Sequence, residues 1–300
     1  MPMHLSASMP EYVLEELDLL IDSTNATPLD WQIIARRIRD NYDKYDGFVI
    51  LHGTDTLAYT TSALSFMFQD LTKPIIVTGS QIPLSELRND AQDNLITALL
   101  LARHYPIAEV CLYFNGRLLR GNRSTKVKAT GFDAFDSPNY PWLGQVGIHI
   151  EIKHDVLRPV AAKPHFELPE YGHHRVVPIR LYPGIDSEFL QHLLKLPIDG
   201  LIIQAYGVGN APDRDPLLLK TLEQANSQGK VIINLSQCLQ GRVDLSSYAT
   251  GSALAGTGVI SGFDMTLEAA FTKLHHLLAL ERGSDWVRQQ MQLDLCGELS

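Results

Sequence analysis

Cysteine is scarce in this chain: three in 300 residues, Cys111, Cys238 and Cys296, an odd number without metal-ligand spacing. That excludes a disulfide framework and a cysteine-held zinc, and it leaves Cys111, inside an apolar run, as a small core residue. Excess positive charge is also lacking. The formal net charge is −9 at pH 7, which argues against a nucleic-acid partner or an anionic membrane surface, since both require a clustered basic face. No apolar run is long: stretches such as 99–102 fall far short of the ~20 residues that span a bilayer. Residues 1–10 lack the basic start and apolar centre of a signal peptide. A cytoplasmic protein is expected, so the sequons at Asn25, Asn122 and Asn234 carry no weight.

What is present is a chain with 45% hydrophobic and 20% charged residues, enough to build one large or two medium cores. Strand-like and helix-like segments alternate. Thr27-Pro28-Leu29-Asp30 is a helix start, with a Thr cap, Pro at the first helical position and an acid in the first turn. Trp31, Ile34, Ile38 and Tyr42 give that helix its apolar stripe. Strands are expected at 48–51, 73–78 and 109–114, with helices at 57–68 and 90–104. Pro159, Pro164, Pro169 and Gly172 interrupt the next stretch, which reads as a linker. Beyond it come helices at 187–196 and 216–227, strands at 200–204 and 230–235, and a last helix at 266–280 with Asp264 as its candidate cap. The fold class is therefore α/β with two domains: a larger N-terminal parallel-sheet domain over 1–155, a linker over 156–175, and a smaller C-terminal α/β domain over 176–300.

Three hydroxyl-rich segments stand out as strand exits: Asp22-Ser23-Thr24, His52-Gly53-Thr54-Asp55 and Val77-Thr78-Gly79-Ser80. Ligands of open α/β sheets bind at the carboxyl edge, where such turns sit. Asp55 has two readings, a helix N-cap or a carboxylate that binds a substrate ammonium. The basic run Arg117, Arg120, Arg123, Lys126, Lys128 reads as solvated loop faces or internal ion pairs. Within it, Lys126 is a candidate base for a hydroxyl beside it. The pairs His173-His174 and His275-His276 lack carboxylate or cysteine partners at ligand spacing, so no metal is expected. Gly207-Val208-Gly209-Asn210 lacks the rest of a dinucleotide or P-loop fingerprint and reads as a tight turn.

Five ordered motifs carry a resemblance: Asp46-Gly47-Phe48-Val49-Ile50-Leu51-His52-Gly53-Thr54-Asp55-Thr56, Pro74-Ile75-Ile76-Val77-Thr78-Gly79-Ser80-Gln81, Arg120-Gly121-Asn122-Arg123, Tyr206-Gly207-Val208-Gly209-Asn210 and Tyr248-Ala249-Thr250-Gly251. From about Asp22 onward the sequence resembles the bacterial asparaginase/glutaminase family, and its cytoplasmic type I L-asparaginases most. The resemblance implies hydrolysis of L-asparagine, or a related small amino acid amide, to the acid and ammonia, without metal or organic cofactor. It implies a catalytic set of Thr54, Asp55 and Lys126, with Lys126 taking the Thr54 proton and Asp55 holding the substrate ammonium. The substrate-binding set it implies is Asp22, Ser23, Thr24, Gly53, Thr54 and Asp55, with Ser23 at the α-carboxylate. A homodimer or homotetramer is implied as well.

The sequence departs from that pattern twice. The family's other catalytic threonine lies in a Thr-Gly-Gly-Thr-Ile-type motif that these 300 residues do not contain. The expectation is that the initial strand and primary nucleophile are missing and activity is impaired, through a start assigned too late or a degenerate copy. A catalytically dead binding or regulatory subunit is the alternative. The tRNA-dependent amidotransferase branch is a third reading, disfavoured by the absence of its extra N-terminal domain and by the acidic balance. The second departure is Gln204, where type I members often carry an effector-pocket Arg. Glutamine cannot hold a carboxylate as a bidentate cation, so activation by asparagine is not expected.

Overall fold

Asn115 and Gly116, both left-handed (φ 45° and 78°), decide the shape of the first sheet. Before them run three parallel strands, Phe48–Leu51, Ile75–Thr78 and Val110–Phe114, with Leu51 opposite Thr78 and Val77 opposite Leu112. After them the chain reverses into Arg117–Arg120, and Gly144–Val146 and Ile150–Ile152 continue antiparallel. The six-stranded sheet is therefore mixed, not the parallel sheet expected. The cause is local: an Asn-Gly pair favours the two-residue hairpin turn whose twist matches the strands.

The computed structural model describes residues 9–245 and 249–300, without the side chains of 249, 250 and 252. Tyr248 of the last motif lies outside the described residues. The chain divides into two units between Leu168 and Pro169. In the first, the capped helix begins as expected: the Asp30 carboxylate accepts from the Thr27 N–H at 2.6 Å and its hydroxyl at 2.8 Å, and the helix runs Pro28–Asn41. The helix Leu57–Met67 is buried almost all round, as its apolar and small residues allow. Ala91–His104 packs Ala98 and Leu101 against Ile76, Cys111 and Tyr113. Cys111 is a core residue.

The stretch read as a linker is partly structured. Phe166 sets its ring 4.8 Å from Tyr42 and 5.1 Å from Phe68, and His165–Phe166 pairs antiparallel with Phe68–Gln69. The Arg158 N–H and the buried Arg120 guanidinium both bond to the Glu109 carboxylate. Prolines hide periodicity here, but the Phe166 ring and the Arg158 N–H bond hold the part before Pro169 to the first unit.

The second unit carries four parallel strands in chain order, Val176–Arg180, Gly200–Ala205, Val231–Ser236 and Ile260–Ser261. Its helices start where the sequence provides caps. Asp186 accepts from Glu188 N and Asp215 from Leu217 N, the latter ahead of Pro216. The helix Leu267–Ala279 is capped by Thr266, which accepts from Ala269 N at 3.1 Å. Asp264 instead accepts from Ser300 N at 2.8 Å. A further helix, Ser284–Met291, follows the one expected to be last. Gly207 and Gly209 form the tight turn, both left-handed, with Tyr206 and Asn210 bridged.

Candidate active site

The strand Phe48–Leu51 ends against Ile75–Thr78 with the bond from His52 N to Thr78 O at 2.9 Å. From there His52-Gly53-Thr54-Asp55 turns into the helix Leu57–Met67, whose N-cap is Thr56. Asp55 is therefore not the cap, and of its two sequence readings the capping one is not what forms. Glycine is required at two places in this turn. A Cβ on Gly53 would lie 2.5 Å from Ser23 Oγ, and one on Gly79 would lie 2.1 Å from the His52 carbonyl oxygen. Two backbone segments and one hydroxyl thus approach as closely as van der Waals radii allow.

Ser23 reaches the turn from an unexpected structure. No strand precedes it among the described residues; Ser23–Asn25 is a single 3-10 turn. Ser23 is buried, and Thr56 Oγ1 donates to its carbonyl at 2.7 Å. Asp22 and Thr24 are exposed and bonded to each other: Asp22 Oδ1 accepts from Thr24 N at 3.0 Å and from its hydroxyl at 2.9 Å. The Thr24 backbone bond, then the hydroxyl bond, holds the Asp22 carboxyl below its ordinary range. Of this segment, Ser23 is what the fold brings to Gly53. Thr78, in the third hydroxyl-rich segment, is spent on the sheet, donating to Tyr113 O at 2.7 Å.

His52 fixes the turn from behind. Its Nδ1 lies 2.7 Å from Gly53 O and its Nε2 2.9 Å from Thr60 Oγ1. A carbonyl only accepts, so Nδ1 carries the proton and Nε2 accepts from Thr60. Burial pushes the imidazole pKa down, against the opposing Gly53 bond, which keeps the ring in this neutral form.

Lys126 arrives from a short ladder, Thr125–Lys126 against Phe135–Asp136. Its Nζ lies 2.9 Å from Thr54 Oγ1 and 2.8 Å from Asp55 Oδ1. Three side chains separated by 71 and 72 residues in the chain meet here. As an ammonium, Lys126 donates to both oxygens; as a neutral amine, it is placed to accept the Thr54 proton along the same line. The Asp55 carboxylate would stabilise the resulting ammonium. Of the rest of the basic run, Arg117 pairs with Asp133 and Asp136, Lys128 with Asp133 and Arg120 with Glu109, while Arg123 lies 5.2 Å over the Tyr140 ring. Reasoning from sequence did not single out Thr56, Gln81 or Arg117 as builders of this region. Their partners are backbone carbonyls and loop carboxylates, which no spacing rule reveals.

The histidine pairs are elsewhere. His276 Nδ1 meets Tyr171 OH at 3.0 Å, and His275 packs edge-on to Phe271. Among the described residues no group of three or more His, Cys, Asp or Glu side chains is placed to hold a metal ion.

Residues 4–158 match the family model "Asparaginase, N-terminal", and residues 175–291 match "Glutaminase/Asparaginase C-terminal domain". The chain belongs to the asparaginase family. L-asparaginase 1 of Escherichia coli is 51% identical over 305 aligned positions, covering 100% of this chain and 88% of the relative. The crystal structure of L-asparaginase I from Vibrio cholerae superposes with a TM-score of 0.90 at 51% identity, covering 97% of this chain and 88% of that one. The thermostable L-asparaginase of Thermococcus kodakarensis gives 0.87 at 37% identity, over 94% and 84%. The two-domain asparaginase fold, with a mixed N-terminal sheet and a parallel C-terminal one, is thus shared across both units of this chain.

Proposed function

We propose that this asparaginase hydrolyses L-asparagine to L-aspartate and ammonia at the Thr54–Asp55–Lys126 cluster. The observation that carries the reading is the 2.9 Å approach of Lys126 Nζ to Thr54 Oγ1, with Asp55 at 2.8 Å. Thr54 Oγ attacks the side-chain amide carbon while its proton passes to Lys126 Nζ. Collapse of the tetrahedral adduct breaks the C–N bond, and the leaving nitrogen takes that proton and departs as ammonia. Water then cleaves the Thr54 ester, releasing aspartate and restoring the hydroxyl. Asp55 binds the substrate ammonium and stabilises the protonated lysine, and Ser23 lies where the α-carboxylate end would sit. The turn's backbone N–H groups would serve the oxyanion, a contribution often worth a few kcal/mol.

The same reading places the protein in the cytoplasm as a homodimer or homotetramer. Among the described residues no helix is long and apolar enough to cross a membrane. With no Thr-Gly-Gly-Thr-Ile-type motif in these 300 residues beside Thr54, turnover is expected to be slow. With Gln204 in the strand Gly200–Ala205, rate against asparagine concentration is expected to be hyperbolic. The test is ammonia release from asparagine and glutamine by the purified chain and by Thr54→Ala, Asp55→Ala and Lys126→Ala. Each substitution is expected to lower kcat by on the order of 10³-fold or more, with the fold intact by circular dichroism. Unchanged rates in all three would reject the assignment.

A further inference from the structure

The lysine of the cluster does not stand on the main sheet. Thr125–Lys126 and Phe135–Asp136 form a two-stranded ladder of their own, two residues long, outside the six-stranded sheet. An isolated ladder of this size does not hold a position in water, and Lys126 must project from it along a flexible four-carbon stem. Something else must set where Lys126 Nζ lies. A misplacement of about 1 Å in a catalytic group can cost on the order of 10²-fold in rate.

Two side chains tie this ladder to the sheet: Phe135, buried with its ring 5.0 Å from Phe114, and Arg117. Arg117 begins the strand Arg117–Arg120, which pairs with Val110–Phe114 on one side and Gly144–Val146 on the other. Its Nη1 donates to the carbonyl of Phe135 at 3.2 Å, and Phe135 is the residue directly opposite Lys126. The same nitrogen lies 3.4 Å from Asp136 Oδ2, and Nη2 lies 3.7 Å from Asp133 Oδ2. The guanidinium packs over the Trp142 ring at 4.5 Å, and Trp142 Nε1 donates to Asp136 Oδ1 at 2.7 Å. One planar cation thus grips three points of the far side of the hairpin while an aromatic face fixes its plane. Lysine could not reproduce that fork. At the tip, Gln81 Nε2 donates to the carbonyls of Ala129 and Gly131 at 3.2 and 3.0 Å, a further hold from the sheet's rim.

We infer that Arg117 is a positioning residue that sets Lys126 Nζ against Thr54 by anchoring the strand opposite it. The inference rests on the reading of Lys126 as the base. It is tested with the full chain as Arg117→Ala, Arg117→Lys, Lys126→Ala and the double Arg117→Ala/Lys126→Ala, assayed for ammonia release from asparagine. Arg117→Ala and Arg117→Lys are expected to lower kcat by about 10-fold or more with KM within about threefold. In the Lys126→Ala background the Arg117 change is expected to cost less than about twofold, because its effect runs through a side chain already gone. Hydrogen exchange of 125–136 is expected to speed up in Arg117→Ala while the helix Ala91–His104 is unchanged, a readout independent of turnover. Equal rate losses in both backgrounds, no loss at all, or unaltered exchange in 125–136 would overturn the inference and leave the base assignment standing. A fully active Lys126→Ala single variant removes the base assignment, and the inference with it.

Discussion

The Lys126–Asp55 pair shows why a short distance need not mean stability. Lys126 is 21% and Asp55 53% exposed at the side chain, and pairs that wet contribute about 0–1 kcal/mol. Their value lies in placing an amine beside a hydroxyl. His275 is the opposite case, buried and unrelated to the cluster. Burial first, then the charge of His174, pushes its pKa down to about 4, while Asp199 pulls the other way. In the unfolded chain the ring would titrate near 6.5, so between those values the unfolded state binds more protons and unfolding is favoured. The stability from keeping His275 neutral is complete above pH 6.5 and is lost as pH falls from there toward 4. By pH 5 the loss amounts to about 2 kcal/mol relative to pH 7.5. Urea unfolding of wild type and His275→Gln across this range should show the wild-type midpoint falling faster. Parallel slopes for the two proteins would exclude His275 as the source.

The helix Leu267–Ala279 is locked by the C-terminal tail through charges with no exposure at all. Lys273 Nζ lies 2.5 Å from Glu298 Oε1 and also donates to Leu293 O at 2.6 Å; Glu298 accepts from Cys296 N at 2.8 Å. Burial works against ionising Glu298, but the Lys273 charge and the backbone bonds outweigh it and hold the carboxyl below its usual range. Removing one partner strands the other: Lys273→Met and Glu298→Leu are each expected to cost about 3–5 kcal/mol, and the double Lys273→Met/Glu298→Leu much less than their sum. Urea midpoints for the cycle decide it, and strict additivity would mean the two charges do not interact. None of this pair was legible in the sequence, because Lys273 and Glu298 sit in different helical and loop contexts without a spacing signal. The alternation of strands and helices was legible, since continuous apolar runs such as Val110–Phe114 and a cap such as Thr27 are local. The antiparallel half of the first sheet was signalled by Asn115-Gly116 but lay inside an alternating pattern that pointed to parallel strands. At the cluster, Thr54 and Asp55 followed from their turn. Lys126 was one candidate base within a basic run until family resemblance paired it with Thr54, and Arg117 emerged only from the hairpin it holds.

The first sheet leaves one side of Phe48–Leu51 without a strand partner among the described residues, since its single neighbour is Ile75–Thr78. Parallel sheets are normally covered on both faces and at their edges. Soluble proteins blunt an open edge with charge, proline or a bulge. This edge has none of these: it reads Phe48, Val49, Ile50, Leu51, with Leu51 57% exposed. Among the described residues its outer edge faces no strand and is a template for another chain, and the net charge of −9 opposes that association. Salt screens that repulsion within about 10 Å at 0.1 M, so association should rise with salt as well as with protein concentration. Sedimentation velocity at tens of micromolar is expected to show a polydisperse tail beyond any tetramer. Leu51→Lys should remove the tail by adding a charge to the edge, while leaving any defined dimer or tetramer in place. Leu87→Lys, at a residue 93% exposed on a loop, adds the same charge away from the edge and should change little. If Leu87→Lys disperses the tail as well as Leu51→Lys does, net charge and not the open strand governs association.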